Sequence, residues 1–358
     1  MTRSIRAVAA GLFVMVLLLA GCAPAAPAPA GDGAAENASA DAAAGAAAGA
    51  ADDGMLHVVS TVSPVTNLIY NVGGDRIQLI GIVPEGVNSH TFEPAPSDAR
   101  LLAQADLIFV NGLQLEEPTL RLAEANLADG AEIVLLGEQT IEPGDYVYDF
   151  SFPAEDGKPN PHLWPNPFLA LRYAEIARDK LVERDPANAD YYNANYAALE
   201  ERIQALDVAI RDTIASIPEA NRKLLTYHDS WAYFAPDYGM TVIGAIQPAD
   251  FAEPSAREVA DLITQLREQS LPAIFGSEVF PSPVLEQIAD EAGAVYVDTL
   301  RDDDLPGAPG DGNHSYVGMM VANLQTMAGA LGGDPSIIAD FDTSNIPGSD
   351  TAVEQAQE

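Results

Sequence analysis

Two blocks of alternating strand-like and helix-like segments flank one long, nearly unbroken helical stretch, and this pattern constrains the fold more than any other feature of the chain. In the first block, residues 57–62 form a β-branched run, followed by the helix-compatible segment 65–72. Residues 77–83, 105–112 and 132–136 read as further strands, and Ser97 is placed to cap an intervening helix. In the second block, strands are expected at 223–226, 240–244, 273–275 and 294–297, with helices at 231–237, 256–269 and 282–292. Such alternation requires crossover connections, so the fold class is α/β, with two lobes of mainly parallel sheet flanked by helices. Between the blocks, residues 167–217 carry helical pattern broken only near Arg184-Asp185-Pro186. The part from Ala187 to Ile217 would be about 45 Å long as a helix. That is enough to join both lobes as one stiff interdomain helix.

The chain begins with a targeting signal. Arg3 and Arg6 precede an apolar run, Ala7 to Ala20, that closes on Leu19-Ala20-Gly21-Cys22. The run is too short to span a bilayer and reads as a lipoprotein signal peptide, residues 1–22, with Cys22 as the lipidation site. Cys22 is the only cysteine, so no disulfide can staple the chain. Residues 23–54 are mostly alanine, glycine, proline, aspartate and asparagine. They bury too little apolar surface to offset the entropy of ordering, and read as a disordered tether. Residues 340–358 have a similar character and are expected to fray. The remainder exceeds what one core usually serves and divides into an N-terminal lobe, 55–166, a helical segment, 167–217, and a C-terminal lobe, 218–339. The protein is expected outside the cytoplasm, held to a membrane by its lipid anchor.

Lysine and arginine number 17 against 53 acidic residues, a formal charge of −36. Nucleic acid is thereby excluded as a partner, because binding it depends on neutralising phosphates with basic side chains. An acidic surface attracts cations, but net charge more commonly serves solubility.

Three of the five histidines each occupy a turn-rich loop of their own: Ser89-His90-Thr91-Phe92-Glu93-Pro94, Asn160-Pro161-His162-Leu163-Trp164 and Thr226-Tyr227-His228-Asp229-Ser230. Loops leaving strands toward helices bring polar side chains into one cleft, so these three suggest a metal site. Each has a plainer alternative. His90 could pack on Phe92, His162 could be a structural loop histidine beside Trp164, and His228 could cap a helix, although Asp229 or Ser230 suits that role better. His57 and His314 have no comparable setting.

The segments His90 to Asp98, Asn111-Gly112-Leu113-Gln114-Leu115-Glu116, Asn160 to Trp164, Tyr227-His228-Asp229 and Tyr296-Val297-Asp298-Thr299-Leu300 follow one another in a familiar order. From Leu56 to Gly333 the chain resembles the zinc- and manganese-binding solute-binding lipoproteins of ABC importers, the ZnuA-like and TroA-like proteins. The resemblance implies one metal between two lobes, with His90 and His162 from the first and His228 and Asp298 from the second. It also implies Zn2+ or Mn2+ as transported ligand, an ABC permease and its ATPase as partners, and a monomer that is no enzyme.

Asp298 is preferred over Asp302, Asp303 and Asp304 because it ends a strand, whereas the triple aspartate reads as a solvated turn opening an insertion, Asp302 to Asn313. Glu278 also ends a strand and is expected to orient a histidine from behind the ligands. An imidazole at 228, where manganese-binding relatives often place a carboxylate, favours zinc. No histidine-rich collecting loop lies between Glu142 and Asn160. Two other functions suit the same residues. An exported zinc hydrolase would keep water in the fourth position, but the chain has no His-Glu-x-x-His pair, and a carboxylate ligand would close the site. A metal-binding surface adhesin is also compatible.

Overall fold

The computed structural model describes residues 54–246, 255–279, 282–347 and 354–355. The expected signal peptide, Cys22 and all but the last residue of the tether lie outside the described residues.

The first sheet contains β1 (Leu56–Ser60), β2 (Ile77–Gly81), β3 (Leu107–Val110), β4 (Glu132–Leu135) and the short β9 (Glu354–Gln355), all parallel, in the order β4-β3-β1-β2-β9. The second contains β5 (Lys223–Thr226), β6 (Thr241–Ala245), β7 (Ala273–Ser277) and β8 (Val295–Leu300), also parallel, in the order β6-β5-β7-β8. Strands β3 and β7 are buried along their whole length, as a central parallel strand covered on both faces must be. In each sheet the chain winds outward from its first strand and then crosses back to wind the other way. The reversals fall between β1 and β3 and between β5 and β7, and the loops beyond the carboxyl ends of such strands diverge into a crevice. Of the site residues described below, His90, His228 and Asp302 follow the carboxyl ends of β2, β5 and β8, and His162 lies on the loop that enters the helix beginning at Pro167.

In the first lobe α1 (Ser63–Gly73) follows β1, α2 (Asp98–Leu102) leads into β3, α3 (Glu117–Asn126) joins β3 to β4, and α4 (Leu136–Thr140) follows β4. Helix α1 is buried at every residue, packed against α5 (Pro167–Arg184), α6 (Ala189–Ser216) and α9 (Tyr316–Leu331). The Asn166 side chain caps α5 by accepting hydrogen bonds from the backbone N–H groups of Phe168 and Leu169, and Pro167 supplies a preset first turn. Helix α5 stops where Asp185 precedes Pro186, as expected. Helix α6 runs for 28 residues, about 42 Å. Its buried stripe, Tyr192, Leu199, Ile203, Leu206, Ile210 and Ile214, recurs at three, four and seven residues and faces the interior.

The two lobes share one core. A single apolar cluster runs from Val58 and Phe109 of the first sheet through Leu68, Tyr173, Leu206 and Met320 to Phe275 of the second. Among the described residues, a separate cluster, with Leu225, Ile263, Ile274, Leu285 and Ile288, lies on the face of the second sheet covered by α7 (Ala256–Gln269) and α8 (Pro283–Ala292). The long helices therefore cement the lobes as well as connecting them.

Three local expectations are corrected. Ser97 does not cap α2 (Asp98–Leu102), and the Asp98 carboxylate instead accepts a hydrogen bond from the Ala95 N–H at 2.8 Å. Residues 231–237 form one helical turn, closed by Ala235 N–H to Trp231 C=O at 2.8 Å, and no regular helix, because Pro236 lacks the N–H needed to continue it. The described parts of the tail, 340–347 and 354–355, do not fray, and residues 354–355 add β9 to the edge of the first sheet beside β2. Phe341 and Ile346 pack on the core, Asn345 accepts hydrogen bonds from the side chains of Asn67 and Asn71, and the Ile346 N–H donates to Asn71 at 2.7 Å. Small polar composition concealed this anchoring, since it depends on amide pairing with two buried asparagines of α1.

Candidate metal centre

His90 lies on the loop after β2, where Asn88 accepts the His90 backbone N–H at 2.8 Å and folds the chain into a side-chain-closed turn. His162 precedes α5. Asn160 accepts both its backbone N–H, at 2.9 Å, and its ring Nδ1–H, at 3.0 Å. That contact assigns the proton to Nδ1 and leaves the Nε2 lone pair free to point at the cluster. Asn160 is itself clamped, donating to Asp149 and to the Asp229 carbonyl, both at 2.6 Å. His228 follows β5 by two residues.

These remote loops converge. Nε2 of His90 is 3.0 Å from Nε2 of His162, and Nε2 of His228 is 3.3 Å from the same atom. One donor nitrogen from each histidine lies within 4.8 Å of the others. Donors at tetrahedral zinc distances stand about 3.3 Å apart, so the spacing matches the edges of a coordination shell. His162 and His228 are buried, whereas His90 keeps part of its surface open. Beside His90 opens a cavity of about 300 Å³ lined by Leu113, Gln114, Phe152, Lys158 and Pro159.

The carboxylate beside the cluster belongs to Asp302. Its Oδ2 lies 2.8 Å from Nε2 of His228, and the residue is 3% exposed. Asp298, expected in this position, is exposed on β8 and is not brought to the histidines. The reason is a bulge. Phe275 pairs with Val297 but Ser277 pairs with Leu300, so β8 carries one residue more than β7 over this stretch. The extra residue disrupts the alternation of sides, leaving Asp298 and Thr299 both exposed and carrying the chain onward before it turns into the site. The cue in the sequence is Gly276, which lies at the shift and marks a bulge or close approach without saying which aspartate is moved.

Glu278 also has a different role from the one expected. Its Oε1 accepts the backbone N–H groups of Asp302, Asp303 and Asp304, each at 3.0 Å, and so shapes the loop that presents Asp302. Burial, with Asp302 and Asp303 alongside, raises its pKa well above the ordinary carboxylate range. The triple aspartate is therefore a structured turn in which Asp302 and Asp303 are buried, each 3% exposed, and Asp304 is half-buried. Asn160, Trp164 and Ser89, which support the cluster, lie beside the singled-out histidines and carried no separate signal of their own.

The Asn111–Glu116 segment forms one wall of the cavity. Leu113 and Gln114 both take left-handed backbone angles, φ 51° and 65°, which cost side-chain-bearing residues energy. Two carboxylates hold the turn in place: Glu116 accepts the N–H groups of Asn111 and Gly112, and Glu138 accepts that of Leu113 at 2.8 Å. Asn111 in turn donates to the Pro161 carbonyl at 3.0 Å, tying the wall to the His162 loop.

Electrostatics divide the histidines. Burial, reinforced by His228, pushes His90 down to about 3, and burial together with His90 and His228 pushes His162 well below the ordinary imidazole value. Both present neutral lone pairs. At His228 burial also disfavours the charge, but Asp302, with Asp303 and Asp229, outweighs it and the pKa rises. Asp302 is lowered, because His228 outweighs the cost of its own burial. A proton shared along this contact lies between two donor atoms suited to a cation. Three imidazoles and a carboxylate suit zinc and remain open to manganese.

Residues 58–330 match the family described as zinc-uptake complex component A, periplasmic (ZnuA). The chain is 30% identical over 287 residues to the manganese-binding lipoprotein MntA of Halalkalibacterium halodurans, covering 78% of this chain and 90% of that protein. It is 30% identical over 276 residues to the iron-binding protein YfeA of Yersinia pestis, covering 77% and 86%. Among solved structures, the periplasmic zinc-binding protein TroA of Treponema pallidum superposes with a TM-score of 0.70 at 26% identity, covering 77% of this chain and 99% of that one.

Proposed function

The chain belongs to the zinc-uptake complex component A family, and on that premise we propose that it captures a divalent transition-metal ion outside the cytoplasm and delivers it to an ABC permease. His90, His162, His228 and Asp302 would hold the ion, with Asp302 taking the role expected of Asp298. The carrying observation is the convergence of three imidazole nitrogens from loops far apart in sequence, within 4.8 Å of one another. Zinc is the favoured cargo over manganese, because an imidazole at 228 makes the donor set nitrogen-rich. The protein works as a monomer tethered through lipidated Cys22, and the permease's ATPase drives transport.

The family's members are substrate-binding transport proteins, not enzymes, and the hydrolase reading gives way to that. The chemistry agrees: a carboxylate beside His228 competes for the coordination position that a catalytic zinc leaves to water.

Elemental analysis of protein purified without added metal, followed by zinc and manganese titrations, tests this reading. One equivalent of metal and tighter zinc binding are expected. His228→Ala and Asp302→Ala should each weaken zinc by at least about a hundredfold, more than loss of an outer partner costs, while Asp298→Ala should leave it unchanged. Zinc bound to His228→Ala at the original affinity would overturn the assignment.

A further inference from the structure

The turn formed by Asp302, Asp303 and Asp304 touches more of the site than a ligand-bearing loop requires. Asp303 accepts the Ser89 backbone N–H and the Ser89 hydroxyl, both at 3.1 Å, immediately before His90. Asp304 accepts the Gly86 N–H with both oxygens, at 3.0 and 2.9 Å. The Asp302 carbonyl accepts the Trp164 indole N–H at 2.6 Å, two residues after His162. From its own side the turn is held by Glu278 through three successive N–H groups. Three consecutive residues of the second lobe thus bond to the two first-lobe loops that carry His90 and His162, while the Asp302 side chain meets His228.

Taking His90, His162, His228 and Asp302 as the metal-holding set, we propose that Asp303 and Asp304, braced by Glu278, form an inter-lobe clasp that sets how fast the metal leaves. These are positioning residues. They need not touch the ion, because they fix the separation between the His90 loop and the Asp302 loop. Separating those loops requires breaking the Asp303 and Asp304 bonds, so an ion held across them departs only after the clasp opens. A permease that pulled the two loops apart would release the cargo without competing for its ligands.

The test uses the full protein loaded with zinc and mixed with excess chelator, with release followed in time. Asp303→Ala removes both bonds to Ser89 and should speed release at least about tenfold, the effect of losing roughly two net hydrogen bonds. Asp303→Asn keeps the clasp, since its carbonyl oxygen can accept the Ser89 N–H and its amide can donate to the Ser89 oxygen. It should release zinc within about threefold of the wild-type rate. Ser89→Ala, which removes one bond with little risk to folding, should speed release a few-fold and add nothing further to Asp303→Ala.

Wild-type release from Asp303→Ala, equal acceleration in Asp303→Asn, or simple multiplication of the Ser89→Ala and Asp303→Ala effects would each overturn the clasp. These outcomes leave the metal-binding function standing. A wild-type protein that bound no zinc would remove both.

Discussion

At the scale of single residues, the site separates donors that are already neutral from one that holds a proton. His90, at about 3, and His162, also lowered by burial, stay unprotonated across the ordinary pH range. His228 is raised, since Asp302 outweighs the effect of burial. As pH falls through that raised value, His228 takes up a proton that the metal must displace, and affinity should decline by about one decade per pH unit. Above that value it should be flat. Zinc titrations between pH 8 and 5.5 check the sign and the slope. A decline of two or three decades per unit would mean that His90 or His162 titrates as well, contrary to their lowered values. Residue types and loop positions were enough to pick out the three histidines. They were not enough for the acid: Asp298 and Asp302 are the same residue type on one strand and its following loop, and the bulge in β8 together with the Glu278 bonds leaves Asp298 exposed and sets Asp302 beside His228.

At the scale of elements, the segments with strong periodicity and strong stop signals were legible. Helices α5 and α6 divide at Asp185-Pro186 as their sequence requires, and strands β1 to β8 appear where the strand-like runs stand, while β9 does not. Weak signals failed, as at the start of α2, where the Ser97 side chain makes no capping bond and the Asp98 carboxylate turns back to the Ala95 N–H. Helix α5 offers a measurable case. Asn166 caps it and also donates to the Tyr233 carbonyl at 2.9 Å and to Asp237 at 2.7 Å in the second lobe. Asn166→Ala should cost about 1 kcal/mol for the cap and roughly 1 more for each lost bond, about 2–4 kcal/mol in total. Urea unfolding measures this. A loss no larger than the cap alone would show that the cross-lobe bonds contribute nothing.

At the scale of the whole molecule, the continuous core and the spine of α6 oppose a wide hinge. A ligand that binds only the folded state at a hundred times its dissociation constant adds about 2.7 kcal/mol, worth about 4 °C in melting temperature for a folded part of this size. Zinc should produce that shift in a thermal melt while small-angle scattering profiles with and without the metal superpose. A marked contraction on loading would mean that the lobes swing, against the packing seen between them.

Sequence by itself determined the class of fold, the helical spine and the histidines, because periodicity, β-branching and loop chemistry are local properties. The order of strands, the anchoring of residues 340–347, the exchange of Asp298 for Asp302 and the bonds that cross between the lobes belong to tertiary structure alone. Each depends on which distant segment a group meets, and burial then sets whether that group is a solvated turn or part of the site.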